Sequence, residues 1–337
     1  MKFLTQWGWR GLLALVLAMG AAGIAPAQQT DKKDDKIKVS SGENDLAKKL
    51  QDEKLPLDKK FEIAQKLLEK YPKSQLRPRF AEYLLGVISD LKDPEQRISQ
   101  VETFLGVFTD AGEQEMAVPA LVDAYQAAKR WDDAFGLAPR ALEKKPDNVV
   151  LLTQLAIGGT DLARSGKKDY FDQTKQYTNK GIELMLADKK PGNVSASEWA
   201  DFKKQWLPQL YYSQGLQAAL GGNPKDARAS YQKGIALNPT DPYGYFLSGI
   251  LANEEYQELV KQYKVTPAGP AQDAKLKEVH SKMDEVIELY AQTIALADGK
   301  PAYKAISEGL LQDVQAYYKV RKGSLDGLQA LINKYKK

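Results

Sequence analysis

The reactive side chains of this sequence limit the chemistry that it could perform. The chain has 337 residues, no cysteine and a single histidine, His280. A thiolate nucleophile, a cysteine-ligated metal and a site with several histidine ligands are therefore excluded. His280 and Asp284 stand one helical turn apart, a spacing that would let an imidazole and a carboxylate share an acid–base or metal role. No third group converges with them in the sequence, and the charges around them are typical of a solvated helix face.

The remaining patterns with catalytic potential are weak. Asp132-Asp133 and Glu254-Glu255 are examples of carboxylates that are adjacent in the chain, but consecutive residues of a helix do not face each other. The glycine pair Gly158-Gly159 has no preceding strand and no lysine of a phosphate-binding loop. We therefore predict no catalytic residues, no metal site and no cofactor, and we predict that the protein is not an enzyme.

The charge balance argues against a nucleic acid as partner. The chain has 48 Lys and Arg against 44 Asp and Glu, a formal charge of +4. Lys2 and Arg10 lie in a stretch that we expect to be removed, and without them 46 basic residues face 44 acidic ones. Domains that bind nucleic acid carry a much stronger basic excess. We therefore predict no nucleic-acid partner.

The N-terminus has the pattern of a secretory signal peptide. Lys2 and Arg10 give it a positive start, residues 11–24 are apolar, and Ala25-Pro26-Ala27 supplies a small-residue cleavage site. We predict a signal peptide over 1–27, cleavage after Ala27, and a periplasmic or secreted location. The alternative is an uncleaved anchor, but the run is shorter than the about 20 residues that span a bilayer. No second long apolar run follows, so we expect no membrane span after cleavage.

The segment after the expected cleavage site differs in composition from the rest. Residues 28–55 are rich in Lys, Asp, Gln and Ser and contain no aromatic residue. Such a stretch buries too little apolar surface to offset the entropy lost on ordering. We predict a flexible charged linker over 28–55, with room for a short helix near Asp45–Glu53.

From residue 56 to 337 the apolar residues follow a helical period. Leu121, Ala124, Tyr125 and Ala128 are an example of the i, i+3, i+4, i+7 spacing. Helix starts are marked by an Asx residue before proline, as in Asp93-Pro94, Asn223-Pro224 and Asp241-Pro242, because the side chain accepts from a free N–H and proline needs no partner there. No convincing alternating strand is present. The pattern predicts an all-α protein.

The helices repeat. In a 34-residue unit that begins at residue 115, the large residues, small residues and closing proline are Leu121, Tyr125, Trp131, Ala134, Ala141 and Pro146. A second copy ends at Pro239 and contains Gly215, Ala227, Tyr231 and Gly234. A third begins with Tyr245 and Gly249, and its second helix around Tyr290 parallels the one around Tyr231. The spacing is irregular, with extra length at segments such as Tyr263–Asp273, which we predict to be a loop.

This arrangement of residues resembles the tetratricopeptide repeat (TPR) family. The resemblance implies a right-handed α-solenoid of antiparallel helix pairs over 56–337, in which each pair buries its apolar face on its neighbours. It also implies that the first helix of each pair lines a concave face that binds another protein or a peptide.

The register of the repeats selects the residues that would line this groove. They are Arg79, Tyr83, Asp123, Gln126, Tyr212, Tyr243, Phe246 and Asn253. Aromatic rings with polar tips suit peptide recognition because they add contact area at a low cost in entropy. The alternative is that Tyr and Phe at helical spacing belong to the core. The lysine and asparagine pattern of arrays that clamp a terminal carboxylate is missing, so we do not predict that ligand.

The sequence thus favours a non-enzymatic scaffold of the cell envelope that binds another protein or a peptide. The alternative is a soluble periplasmic small-molecule-binding protein in which Tyr212, Tyr243, Phe246 and Arg79 close on a ligand. A groove that is open along its length favours the scaffold, whereas one closed cavity of about 300–1,000 Å³ favours the small-molecule binder.

The signal-peptide hypothesis predicts the N-terminus of the exported protein. Because the small residues of the cleavage site end at Ala27, we expect N-terminal sequencing of exported protein to begin near Gln28. A start at Met1, or one well inside the helical region, would contradict the assignment.

Overall fold

The computed structural model describes residues 39–191 and 194–336, and every regular element in this part of the chain is helical. These residues fall into two compact units. The N-terminal unit extends to Gly158 and includes the short segment Asp188–Ser195, and the C-terminal unit contains Gly159–Ala187 and the chain from Ala196 onward. The predicted signal peptide and residues 28–38 of the predicted linker lie outside the described residues.

The N-terminal unit consists of helices that pack on their neighbours in the sequence. They are α1 (Ser41–Leu50), α2 (Leu57–Lys70), α3 (Arg77–Ser89), α4 (Pro94–Val107), α5 (Ala111–Ala127), α6 (Trp131–Lys144) and α7 (Val149–Arg164), whose last residues belong to the C-terminal unit. Helix α3 also packs on α5, so contacts extend beyond consecutive helices. The predicted start of α4 is confirmed, because Asp93 accepts a hydrogen bond from the Glu95 N–H at 3.1 Å and Pro94 opens the helix.

Helix α1 lies within the segment that the sequence predicts to be a flexible linker. Its first turn is closed by a capping box, in which Ser40 accepts from the Glu43 N–H and the Glu43 side chain accepts from the Ser40 N–H. Its last residue, Leu50, is buried in the core of the N-terminal unit. Residues 41–50 of the predicted linker are therefore helical and packed on the N-terminal unit, because α1 gains from α2 the apolar contacts that its own composition lacks.

The C-terminal unit contains longer helices. They are α8 (Phe171–Leu186), α9 (Ala196–Leu220), α10 (Pro224–Leu237), α11 (Pro242–Val265), α12 (Pro270–Ala297), a 3₁₀ turn (Pro301–Tyr303), α13 (Lys304–Lys322) and α14 (Leu328–Lys334). Helices α9 and α10 pack as one pair, and α11 and α12 as the next. The predicted starts of α10 and α11 are confirmed, because Asn223 and Asp241 each accept from a backbone N–H of the first turn.

The extra length between Tyr231 and Tyr290 lies mainly inside helices. Helices α11 and α12 have 24 and 28 residues, whereas α10 has 14. The loop predicted over Tyr263–Asp273 is consequently wrong for most of its range, and only residues 266–269 connect the two helices. Gly269 has a φ of 137°, a backbone conformation that glycine adopts most readily. None of the described helices is both long and apolar enough to cross a membrane.

The same glycine–tyrosine contact holds both helix pairs of the C-terminal unit together. In the first pair the ring of Tyr231 on α10 occupies the space where a Cβ of Gly215 on α9 would be. In the second pair a Cβ at Gly249 on α11 would lie 2.7 Å from the ring of Tyr290 on α12. Both tyrosines are buried. Since Gly215 and Gly249 are 34 residues apart, consecutive pairs pack in the same way at equivalent positions.

The glycine–tyrosine contact predicts opposite effects for two Gly→Ala substitutions in the same unit. Gly215→Ala would overlap the ring of Tyr231 and place a methyl group 3.0 Å from the carbonyl O of Ala227. We expect it to lower the free energy of unfolding by about 1–3 kcal/mol. Gly309→Ala, inside α13 with no atom near the added methyl group, is the matched control and should stabilise by about 0.5–1 kcal/mol. Denaturant unfolding followed by circular dichroism measures both, and equal effects would contradict the contact.

Candidate functional site

The three aromatic residues predicted for the groove lie together inside the C-terminal unit. The rings of Tyr212 and Tyr243 meet edge to face with centroids 5.7 Å apart, and those of Tyr243 and Phe246 stack at 6.3 Å. All three side chains are buried, with Tyr212 only 1 % exposed. The arrangement found is therefore the alternative in which these rings belong to the core. None of them is accessible to a partner in this conformation.

Two glycines explain why Tyr212 is buried at a position where the repeat register predicts exposure. Its ring fills the place of a Cβ at Gly234 on α10, and its hydroxyl would lie 2.7 Å from a Cβ at Gly244 on α11. The Tyr212 hydroxyl has no hydrogen-bond partner among the described residues. Burial raises the pKa of Tyr212 far above its ordinary value and raises that of Tyr243 to about 12.

Asp241 organises the polar edge of this aromatic cluster. Its buried carboxylate accepts hydrogen bonds from the N–H of Tyr243 and the hydroxyl of Tyr303, each at 3.0 Å, and from Nε2 of Gln209 at 3.1 Å. One side chain thus connects α9, the start of α11 and the 3₁₀ turn. The sequence signal for Asp241 is the Asp-Pro helix start, which predicts the cap but not the two additional donors.

Asn253, another predicted groove residue, also has a structural role. It is buried on α11, and its Oδ1 accepts a hydrogen bond of 2.8 Å from the hydroxyl of Tyr317 on α13. The Tyr317 hydroxyl in turn accepts from Nε2 of Gln257 at 3.2 Å. Burial raises the pKa of Tyr317 to about 12. The amide of Asn253 therefore links two helices and is not free to bind a peptide.

The two predicted groove residues of α5 differ in accessibility. Asp123 is 45 % exposed and forms an ion pair with Arg97 on α4 at 2.5 Å. It also accepts a hydrogen bond of 3.4 Å from Nε2 of Gln154 on α7. Gln126 is buried, and neither polar atom of its amide has a hydrogen-bond partner among the described residues. Asp123 is thus a surface group, whereas Gln126 is not.

Arg79 and Tyr83 are the predicted residues that the structure brings to a cavity. They lie one turn apart on α3 and line a cleft of about 260 Å³ between α3 and α1. The other residues that line it are Asn44, Ala47, Lys48, Leu50, Gln51, Leu76 and Phe80. We refer to this cavity as the α1–α3 cleft. The sequence register predicted Arg79 and Tyr83 for a groove, but it did not predict that α1 would form the second wall.

A buried lysine fixes the walls of the α1–α3 cleft. Lys60 on α2 is 3 % exposed. Its ammonium donates to the carbonyl O of Leu50 at 2.7 Å, the carbonyl O of Asp52 at 2.6 Å and the hydroxyl of Tyr83 at 2.9 Å. Three acceptors satisfy its three N–H donors, and two of them are carbonyls at the C-terminal end of α1. Sequence reasoning missed Lys60 because nothing in the local pattern distinguishes it from Lys59.

The histidine and carboxylate that could share chemistry by spacing do not form a pair. Asp284 forms ion pairs with Arg321 at 2.9 Å and Lys322 at 3.8 Å, so its carboxylate is directed to α13. Among the described residues, no group of three or more His, Asp or Glu side chains is placed to hold a metal ion. His280 is partly exposed on α12, as expected for a residue on a solvated helix face.

Comparisons with known proteins leave the family unassigned: the chain matches no protein-family model and no curated protein. The likeness to tetratricopeptide repeats consequently depends on the residues that carry it, of which Gly215, Tyr231, Gly249 and Tyr290 have the packing described above. The α1–α3 cleft is the candidate site, because the accessible predicted residues Arg79 and Tyr83 meet there.

Buried tyrosines predict a characteristic alkaline titration. In the unfolded chain a tyrosine ionises at about pH 10, whereas the pKa of Tyr243 in the folded chain is about 12. The stabilisation that comes from keeping this hydroxyl neutral is complete below pH 10 and is lost as the pH rises towards 12. We expect two phases of tyrosinate absorbance, the later one coinciding with loss of helicity by circular dichroism.

A single substitution assigns the later phase of this titration. Tyr243→Phe should reduce its amplitude by one tyrosine and leave the earlier phase unchanged. The same protein in concentrated urea is the control, since all 17 tyrosines should then ionise together near pH 10. One phase near pH 10 in the native protein, with full helicity retained, would show that these rings are accessible and that the core assignment is wrong.

Proposed function

We propose that this chain is a non-enzymatic scaffold, a right-handed α-solenoid similar to tetratricopeptide arrays, that binds another protein or a peptide. The observation that supports it is the recurrence of one glycine–tyrosine contact in consecutive helix pairs, Gly215 with Tyr231 and Gly249 with Tyr290. Packing of this kind joins the two helices of each pair, and a series of similar pairs leaves one face of the first helices for a partner. Binding on that face is what the likeness to the family implies.

Burial of the aromatic cluster changes the character of the proposed binding face. In the N-terminal unit the first helices expose Arg79 on α3 and Asp123 on α5, and in the C-terminal unit α11 exposes Gln257. A polar face contributes more to specificity and to the rate of association than to affinity. We therefore propose a partner that is recognised by charge and hydrogen bonding, and not by insertion of its side chains among Tyr212, Tyr243 and Phe246.

The proposal includes export to the cell envelope. Its support is the N-terminal pattern of charge, apolar run and small residues over 1–27, together with a sequence that has no cysteine to oxidise in that compartment. The small-molecule alternative has less support, because Tyr212, Tyr243 and Phe246 pack on one another and do not surround a space.

Position-dependent crosslinking tests the scaffold proposal. A photoreactive amino acid at Gln257 on α11, one turn beyond Asn253 on the proposed binding face, should form a crosslink to a discrete protein in native envelope extracts. The matched control is Gln232, an equally exposed glutamine on the second helix α10, which should give none. Equal yields from both positions, or none from either while a metabolite pool raises the melting temperature, would overturn the proposal in favour of a small-molecule binder.

A further inference from the structure

We propose that the α1–α3 cleft binds an acidic peptide segment, with Lys48 and Arg79 as the contacts for a carboxylate side chain of the peptide. This inference deepens the proposed function and rests on it, because it assigns a chemical class of partner to one place on the scaffold.

The charge of the cleft is the first step of the argument. Lys48 on α1 and Arg79 on α3 line it from opposite walls, and no acidic residue is among those that line it. Neither cation forms an ion pair or a hydrogen bond with another described residue. A carboxylate placed between them would gain two charge-assisted interactions, one of them with a guanidinium that can bind both of its oxygens.

Every other arginine among the described residues forms an ion pair, so the free guanidinium of Arg79 stands out. Arg77, two residues before Arg79, forms ion pairs with Glu113 and Asp110, both at 2.9 Å. Arg79 lies in the first turn of α3, where the positive end of the helix dipole disfavours a positive charge. The stability of the helix does not explain an arginine in this place, whereas a bound anion would explain it.

The floor of the cleft identifies the ligand as a peptide and not a free anion. Leu50, Leu76 and Phe80 line the cleft but are buried, so the apolar surface beside the two cations comes from the partly exposed Ala47 and Tyr83. A carboxylate side chain that is followed by an apolar residue would use both surfaces at once. The volume of about 260 Å³ lies below the range of small-molecule sites and suits one or two side chains of a longer segment.

The cleft is already formed, which lowers the cost of binding. Lys60 holds the C-terminal end of α1 and the hydroxyl of Tyr83 in place, so both walls are positioned before a ligand arrives. The side-chain amides of Asn44 and Gln51 lie at the same cavity. They are able to donate to backbone carbonyls of an extended peptide.

Peptide binding to the full chain tests the inference. The probe is a fluorescently labelled pentapeptide of alternating aspartate and leucine, acetylated at its N-terminus and amidated at its C-terminus, so that only side chains carry charge. We expect saturable binding by fluorescence anisotropy, and no binding of the counterpart in which asparagine replaces aspartate. Arg79→Gln and Lys48→Gln should each weaken binding about tenfold, as expected for loss of a charge-assisted hydrogen bond.

Lys49→Gln is the matched control for Lys48→Gln. Both lysines are exposed in the last turn of α1, but Lys49 does not line the cleft. Its substitution removes the same net charge and the same interaction with the helix dipole, so we expect less than a twofold effect. Equal weakening by the two substitutions would show non-specific attraction and overturn the inference. Arg79→Lys, which keeps the charge without the fork, should bind with intermediate affinity.

Two further outcomes also overturn the inference. If inorganic phosphate displaces the labelled peptide at the same concentrations as the unlabelled peptide does, the cleft is a general anion site. Arg79→Gln protein that unfolds at a lower temperature than Lys49→Gln protein would show that Arg79 is a structural residue. The crosslink from Gln257 on α11 separates the two proposals. If the chain does not bind the peptide but forms this crosslink, only the acidic-peptide assignment is refuted. If it binds the peptide but forms no crosslink, only the scaffold proposal is refuted.

Discussion

The packing of the C-terminal unit depends on space that a side chain would otherwise occupy. A tyrosine ring of one helix can approach the backbone of the next only where a Cβ is missing, and glycine provides that place at Gly215 for Tyr231 and at Gly249 for Tyr290. The close approach buries the rings and sets the distance between the two helices of a pair. Because the same contact occurs in two consecutive pairs, with its glycines 34 residues apart, these two pairs pack alike although their helices differ in length.

This constraint also decides which residues are left for binding. Tyr212 uses Gly234 and Gly244 in the same manner, so it enters the core and brings Tyr243 and Phe246 with it. At the edge of the rings, Asp241 accepts hydrogen bonds from the Tyr243 N–H and the Tyr303 hydroxyl. The surface that remains on the first helices is polar, and in the N-terminal unit it includes a cleft with two free cations.

How much of this packing can be predicted from the sequence depends on how far apart in the chain the interacting residues lie. Helix starts at Asp93, Asn223 and Asp241 were predictable because a cap is a contact between residues two or three apart. The burial of Tyr212 was not, since it depends on glycines 22 and 32 residues further along the chain. Arg79 and Tyr83 were selected by the repeat register, but their cavity needs α1, a helix whose composition predicted a linker.

Lys60 gives the N-terminal unit a built-in reporter of local opening. Its amine is enclosed by three oxygen acceptors, whereas the side chain of the adjacent Lys59 is 52 % exposed. An acylating reagent can reach Lys60 only when α1 leaves its place, so the ratio of the two modification rates measures how often that happens. The modification rates of these two neighbouring lysines thereby give the free energy of this local opening. That free energy is distinct from the global stability of the chain.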